Sequence, residues 1–193
     1  MYEFKDLTRL TQVASVLVAA YAVFAVLGSG AVVIQGPTVE GQFRSAEILQ
    51  SIEFLVLIAC VFVVGRWIYR ASVNAHALGA EMTFTPGWAV GWYFVPFANL
   101  VKPFQAMREI WQASHESSGG YEERVPILGV WWGLWITTNI LSNVAWRLGE
   151  LGVGPTIDMI AAGLTAPLCA VLIMIMRDIE SSQQYVRHAV TFA

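Results

Sequence analysis

The sequence predicts an all-α, polytopic membrane protein: four transmembrane helices, an interfacial or re-entrant helical segment and a cytoplasmic amphipathic helix. Three observations lead there. Of 193 residues, 56% are hydrophobic and only 13% are charged, about half the charged fraction of an ordinary soluble domain. So few charges cannot cover a water-facing surface. The apolar residues are also gathered into blocks long enough to cross a bilayer, and Lys and Arg crowd one set of the connections between them. The chain reads as a single integral membrane domain over residues 1–193.

At about 1.5 Å of rise per residue, roughly 20 residues of helix cross the hydrocarbon core. The first span, about 13–34, is uncharged throughout, and Ser15 with Ala19 and Ala25 with Ser29 place small residues four apart for close helix packing. The start, Met-Tyr-Glu-Phe-Lys-Asp, lacks a compact basic stretch, so this helix is expected to be retained rather than cleaved. The second span, about 48–68, carries a tension. Between Glu53 and Arg66 an uncharged helix rises only about 18 Å, so one of these charges lies at membrane depth. Side chains lean toward a helix N-terminus, which lets Glu53 reach its own surface and leaves Arg66 as the expected buried ion. Its expected acceptors are backbone carbonyls around Asn99, where Pro96 and Pro103 break the chain. The third span, about 125–146, lies between Arg124 and Arg147 and begins with Trp131, Trp132 and Trp135. The fourth, about 157–176, follows Pro155 and Thr156 and contains Pro167, a kink position.

Charge asymmetry orients these spans. With the N-terminus inside, Lys5, Arg9, Arg66, Arg70, Lys102, Arg108, Arg124, Arg177 and Arg187 are cytoplasmic, and only Arg44 and Arg147 are external. The positive-inside rule therefore predicts both termini in the cytoplasm.

The long connection between the second and third spans is not an ordinary loop. Its interfacial segment, about 86–114, opens with an apolar stretch, Trp88 to Phe97, too short to cross and closed by Pro96. From Pro103 to Ser114, Phe104, Met107 and Trp111 recur on one helical face, with Gln105, Arg108, Glu109 and Gln112 on the other. An amphipathic helix in the headgroup layer is expected, with Trp88, Trp92 and Trp111 as interfacial anchors.

Here a resemblance appears. The runs Arg66-Trp67-Ile68-Tyr69-Arg70-Ala71-Ser72-Val73-Asn74-Ala75, Pro86-Gly87-Trp88-Ala89-Val90-Gly91 and Pro96-Phe97-Ala98-Asn99-Leu100-Val101-Lys102-Pro103, followed by Glu109-Ile110-Trp111, resemble the bacterial domain-of-unknown-function 4328 family. The resemblance implies a small multi-helix protein of the bacterial cytoplasmic (inner) membrane and brings no mechanism with it.

Polar residues within the spans are the remaining candidates. Asn139, Asn143 and Arg147 follow Trp135 at spacings of four, a stripe expected to face the bundle interior. Glu53, Asp158 and Arg147 share the outer half and are expected to form an ion-paired cluster. Cys60 and Cys169 lie in apolar runs and indicate neither a disulfide nor a zinc site. His76, His115 and His188 fall outside the spans, so no haem is expected, and the run Ser114-His115-Glu116-Ser117-Ser118 reads as a solvated turn rather than a catalytic triad. With a net charge of −3 and no basic cluster, nucleic acid is not an expected partner. No catalytic residues, cofactor or metal are expected. The partners expected are membrane lipid, other membrane proteins or the protein itself. The functional expectation is a non-catalytic scaffold, regulatory or accessory module. The alternative is a small oligomeric transporter or channel with a polar path along the third span.

Overall fold

The computed structural model of the chain describes residues 2–35, 45–116 and 125–191. Arg44 and Arg124, expected to flank spans, and Ser117 and Ser118 of the expected turn lie outside the described residues. Among the described residues every regular element is helical: α1 (Thr8–Gln35), α2 (Ser45–Ala77), α3 (Pro86–Gly91), α4 (Lys102–Glu116), α5 (Val125–Arg147) and α6 (Gly154–Thr191). Short 3-10 turns occupy Trp92–Phe94, Ala98–Leu100 and Gly149–Leu151.

Three of these helices, α1, α2 and α6, are long and apolar enough to cross a membrane. α5 has the length, at 23 residues, but four tryptophans and two asparagines dilute its aliphatic content. α2 and α6 run 33 and 38 residues, well beyond the roughly 20 a crossing needs. Their extra turns follow Arg66 and Arg177. Charge ends the hydrocarbon stretch there, while Trp67, Ile68, Ala71 and Ala75, and Ile179 and Val186, continue an apolar face at helical spacing.

The chain divides into two compact units. The first comprises Met1–Ser15, Phe62–Val130 and Ile173–Ala193. Its core is packed like that of a soluble domain. Trp67, Ala71, Ala75, Ile110, Ile175, Met176 and Ile179 are completely buried, together with Met107 and Trp111. Short α3 starts where Thr85 accepts a bond from the Trp88 amide and Pro86 supplies a preset first turn. At Gly65 there is no Cβ, and one placed there would sit 3.5 Å from Val90, so α2 and α3 approach closely.

The second unit comprises Val16–Val61 and Trp131–Leu172 and has the opposite polarity. Its buried positions are mostly small: Ala25, Ser29, Ala46, Ala145, Ala161 and Ala162. Its large aliphatic and aromatic residues point out, Ile34, Phe54, Leu55 and Ile160 among them. Only 6% of the apolar window of α2 is buried. Water would penalise that exposure at about 25 cal/mol per Å², whereas lipid does not, and small residues at helix contacts are how helices pack in lipid. Of the expected small pairs, Ser15, Ala25 and Ser29 are buried, while Ala19 is exposed. Gly154, at the start of α6, is a further close approach: a Cβ there would lie 2.7 Å from the Ala145 carbonyl oxygen.

Candidate functional site

The first unit is organised around a buried amide network. Asn74, fully buried on α2, treats the N-terminal segment as a pairing partner: its Oδ1 accepts the Lys5 amide at 2.8 Å and its Nδ2 donates to the Lys5 carbonyl at 2.8 Å. The second Nδ2 proton goes to Oε1 of Gln183 on α6, at 3.0 Å. Gln183 in turn donates to the Ala71 carbonyl at 3.1 Å and to the Ser114 hydroxyl on α4 at 3.0 Å. Every amide proton of both side chains is used, which is what burial of such groups requires. Beside the network the indole of Trp67 donates to Thr11 of α1 at 2.9 Å. One shell of hydrogen bonds thus joins the N-terminal segment, the end of α2, α4 and the end of α6.

An open cleft of about 680 Å³ lies in the same unit. Thr8, Thr11 and Gln12 of α1, Ile127 of α5, and Met174, Arg177, Asp178, Glu180 and Ser181 of α6 line it. Asp178 also faces His115, whose Nε2 is 3.6 Å from its carboxylate and 3.3 Å from the Ser182 hydroxyl. The other ring nitrogen is engaged with the Trp111 carbonyl at 2.8 Å. Hydroxyl and carboxylate therefore address the same nitrogen, whereas a nucleophilic triad needs them on opposite ones. Contrary to the solvated turn expected from sequence, Ser114 and His115 are buried in the last turns of α4. Their neighbours across the chain, not along it, decide this.

The interfacial segment is split between core and surface. Trp111 and Met107 are covered by protein, with Trp111 stacked on His115 at 4.2 Å, so Trp111 is a core residue and not an exposed anchor. The amphipathic face of α4 packs on its own unit. What stays exposed is the preceding tip: Trp88, Phe94, Phe97, Leu100 and Val101. Trp88 packs on half-buried Trp92 at 4.6 Å, and Phe97, 86% exposed, is held at φ 61°. Backbone of this kind is strained for a residue with a Cβ. Asn99 is half-buried in the same tip, its backbone N–H donating to the Val95 carbonyl. The expected bond from Arg66 to this segment is absent among the described residues, and Arg66 is exposed. Trp67 and Ile68, its neighbours in sequence, hold the buried face of α2, and successive helical positions differ by about 100°.

In the second unit the polar stripe of α5 also departs from expectation. Leu128, just before this unit, and Trp131, Thr138 and Ala145 within it mark the buried face of α5, while Asn139, Asn143 and Arg147 are exposed. Each asparagine amide is satisfied on its own helix, Asn139 by the Trp135 carbonyl and Asn143 by the Asn139 carbonyl, both at 2.8 Å. The expected ion-paired cluster does not form as a triplet, since Arg147 makes no ion pair among the described residues. Asp158 instead accepts from the Ser29 hydroxyl at 2.7 Å, and Glu53 lies within electrostatic reach of it, against Gly28.

Sequence reasoning missed Asn74 and Gln183. Gln183 sits in a polar run, Ser181-Ser182-Gln183-Gln184, that reads as a solvated tail; the signal was its register with Ile175 and Ile179 on one face of α6. Comparison with curated proteins and with solved structures finds no match. A protein-family match does extend over residues 33–181, which includes α2 to α5, all three 3-10 turns and most of α6. The chain belongs to the family described as domain of unknown function (DUF4328).

Proposed function

We propose that the protein is a non-catalytic, four-span module of the bacterial cytoplasmic membrane, a scaffold or accessory subunit whose polar-cored unit lies at the cytoplasmic face and engages lipid or other membrane proteins. The amide network carries this reading. Lys5, Asn74, Ser114 and Gln183 are hydrogen-bonded together, so the start of α1 and the ends of α2, α4 and α6 share one side. If α6 crosses and ends beside α4, its start is on the far side, and α5 is the segment left to carry the chain there. α5 suits that role: its 23 residues are long enough to cross, they carry no charge before Arg147, and Trp146 stands at its end, where indoles favour the interface. The excess of Lys and Arg on the shared side argues that it is cytoplasmic. The exposed apolar tip from Trp88 to Val101 suits contact with the membrane interface.

The test is extraction of the protein with its surrounding lipid in polymer nanodiscs, followed by mass spectrometry and absorbance. The reading expects retained lipid or a co-purifying membrane protein; a stoichiometric cofactor, or turnover of a substrate, contradicts it.

A small oligomeric transporter or channel is the second reading, favoured by one observation: the carboxylates Glu53 and Asp158 within α2 and α6, with Ser29 bonded to Asp158. Ion or proton flux in proteoliposomes that Asp158→Asn abolishes would establish it. Flux indifferent to that change would exclude it.

A further inference from the structure

From the cleft in the first unit we infer a binding site for a phospholipid whose headgroup carries both a phosphate and a primary ammonium. The inference rests on the reading above of a lipid-engaging membrane module and names the lipid. Position is the first argument. Between Asp158 and Arg177, α6 carries no charge for 18 residues, a rise of about 27 Å that matches the hydrocarbon core. Arg177 is therefore placed where the phosphates of a bilayer begin. Met174, one turn earlier, and Ile127, in the first turn of α5, give the cleft an apolar floor on the hydrocarbon side.

Charge is the second argument. Arg177 is exposed and has no hydrogen bond or ion pair among the described residues, so its planar donor fork is available to phosphate oxygens. Beside it stand two carboxylates, Asp178 and Glu180. A purely anionic headgroup would meet one cation and two anions there, an unfavourable balance. Asp178 is already turned toward His115, and Glu180 accepts from the neutral amide of Gln184 at 2.7 Å, so a headgroup with its own ammonium meets the negative charge of Glu180 while giving Arg177 the phosphate. Gln12, exposed on α1, adds an amide that can donate to the same phosphate.

The experiment is native mass spectrometry of the detergent-purified full chain, titrated separately with phosphatidylethanolamine, phosphatidylglycerol and phosphatidylcholine, and competed with soluble glycerophosphoethanolamine. Phosphatidylethanolamine should be retained at least tenfold better than the other two. Arg177→Gln should abolish that retention, Glu180→Gln should erase the preference over phosphatidylglycerol, and Arg147→Gln, a control on exposed α5 surface, should change neither. Met174→Trp, which fills the floor without touching charge, should also displace lipid, so the site stays testable if Arg177→Gln fails to fold. Displacement by an equimolar amount of the soluble headgroup, which has no acyl chains for the apolar floor, would assign the site to a free metabolite rather than a lipid and overturn the proposal. Equal retention of all three lipids, unaffected by Arg177→Gln and Met174→Trp, would overturn the cleft while leaving a lipid-engaging module intact. No lipid retained at all would overturn both.

Discussion

Gln183→Leu separates the buried network from everything else in the chain. Leucine nearly fills the volume but removes both donors and the acceptor of a side chain that is 1% exposed. Of the groups that lose a bond, one is orphaned, an Nδ2 proton of Asn74; the Ala71 carbonyl, inside α2, keeps the amide one turn on in its own helix. Ser114 is not orphaned either, because its hydroxyl still donates to the Ile110 carbonyl at 2.7 Å. A buried unsatisfied group costs about 1 to 3 kcal/mol, so the substitution should destabilise by about that amount. For a chain of this size, at about 2 to 4 °C per kcal/mol, the midpoint of thermal unfolding in mild detergent should fall by roughly 2 to 12 °C. Asn139→Ala is the matched control, since that amide is exposed and bonded to its own helix, and surface changes usually stay within about 0.5 kcal/mol. Asn74→Leu combined with Gln183→Leu should cost less than the two separately, because each removes a partner of the other. A midpoint for Gln183→Leu within 2 °C of the parent, by an order-of-magnitude reckoning, or an equal loss for Asn139→Ala, would refute the network as what holds this unit together.

Three further outcomes follow from the same geometry. Phe97→Gly relieves a positive φ that costs an L residue about 1 to 2 kcal/mol and loses little packing at 86% exposure; thermal stability should hold or rise, while quenching of Trp88 and Trp92 by brominated lipid should weaken. Arg66→Met should leave the unfolding midpoint near the parent value, because exposed Arg66 makes no hydrogen bond or ion pair among the described residues; a large drop would restore the buried ion expected from sequence. Asp6 is held below the usual carboxylate range by bonds from the Thr8 hydroxyl and amide, with Arg187 adding attraction. A lowered folded pKa makes its contribution present above the ordinary value of about 4 and lost as pH falls through the folded value. The stability difference between the parent and Asp6→Asn should therefore shrink on acidification below about pH 4, measured by unfolding at paired pH values.

What the sequence disclosed was set by composition and period, and what it concealed was set by direction. The apolar blocks located α5 closely and α1 to within about five residues, and those expected at 48–68 and 157–176 fall inside α2 and α6. The far ends of α2 and α6 were hidden because Arg66 and Arg177 mark where an apolar run stops, which is not where a helix stops. Asn139 and Asn143 read as inward because a lone amide in lipid needs a partner; the carbonyl one turn back supplies it. Trp111 read as an anchor because amphipathicity says which face is apolar and not whether protein or lipid covers it. The candidate site was the least legible part. Residues 74, 114 and 183 meet only through the fold, and no spacing along the chain brings them together.

The most direct measurement of the central claim is a topology map with reporters near Pro37, near Gly119 and after Ala193. Four spans around a cytoplasmic polar unit predict that Gly119 and Ala193 report from the cytoplasm and Pro37 from outside. If α5 did not cross, Gly119 and Ala193 would report from opposite sides, and the hydrogen bond between Ser114 and Gln183 could not exist in the membrane-embedded protein.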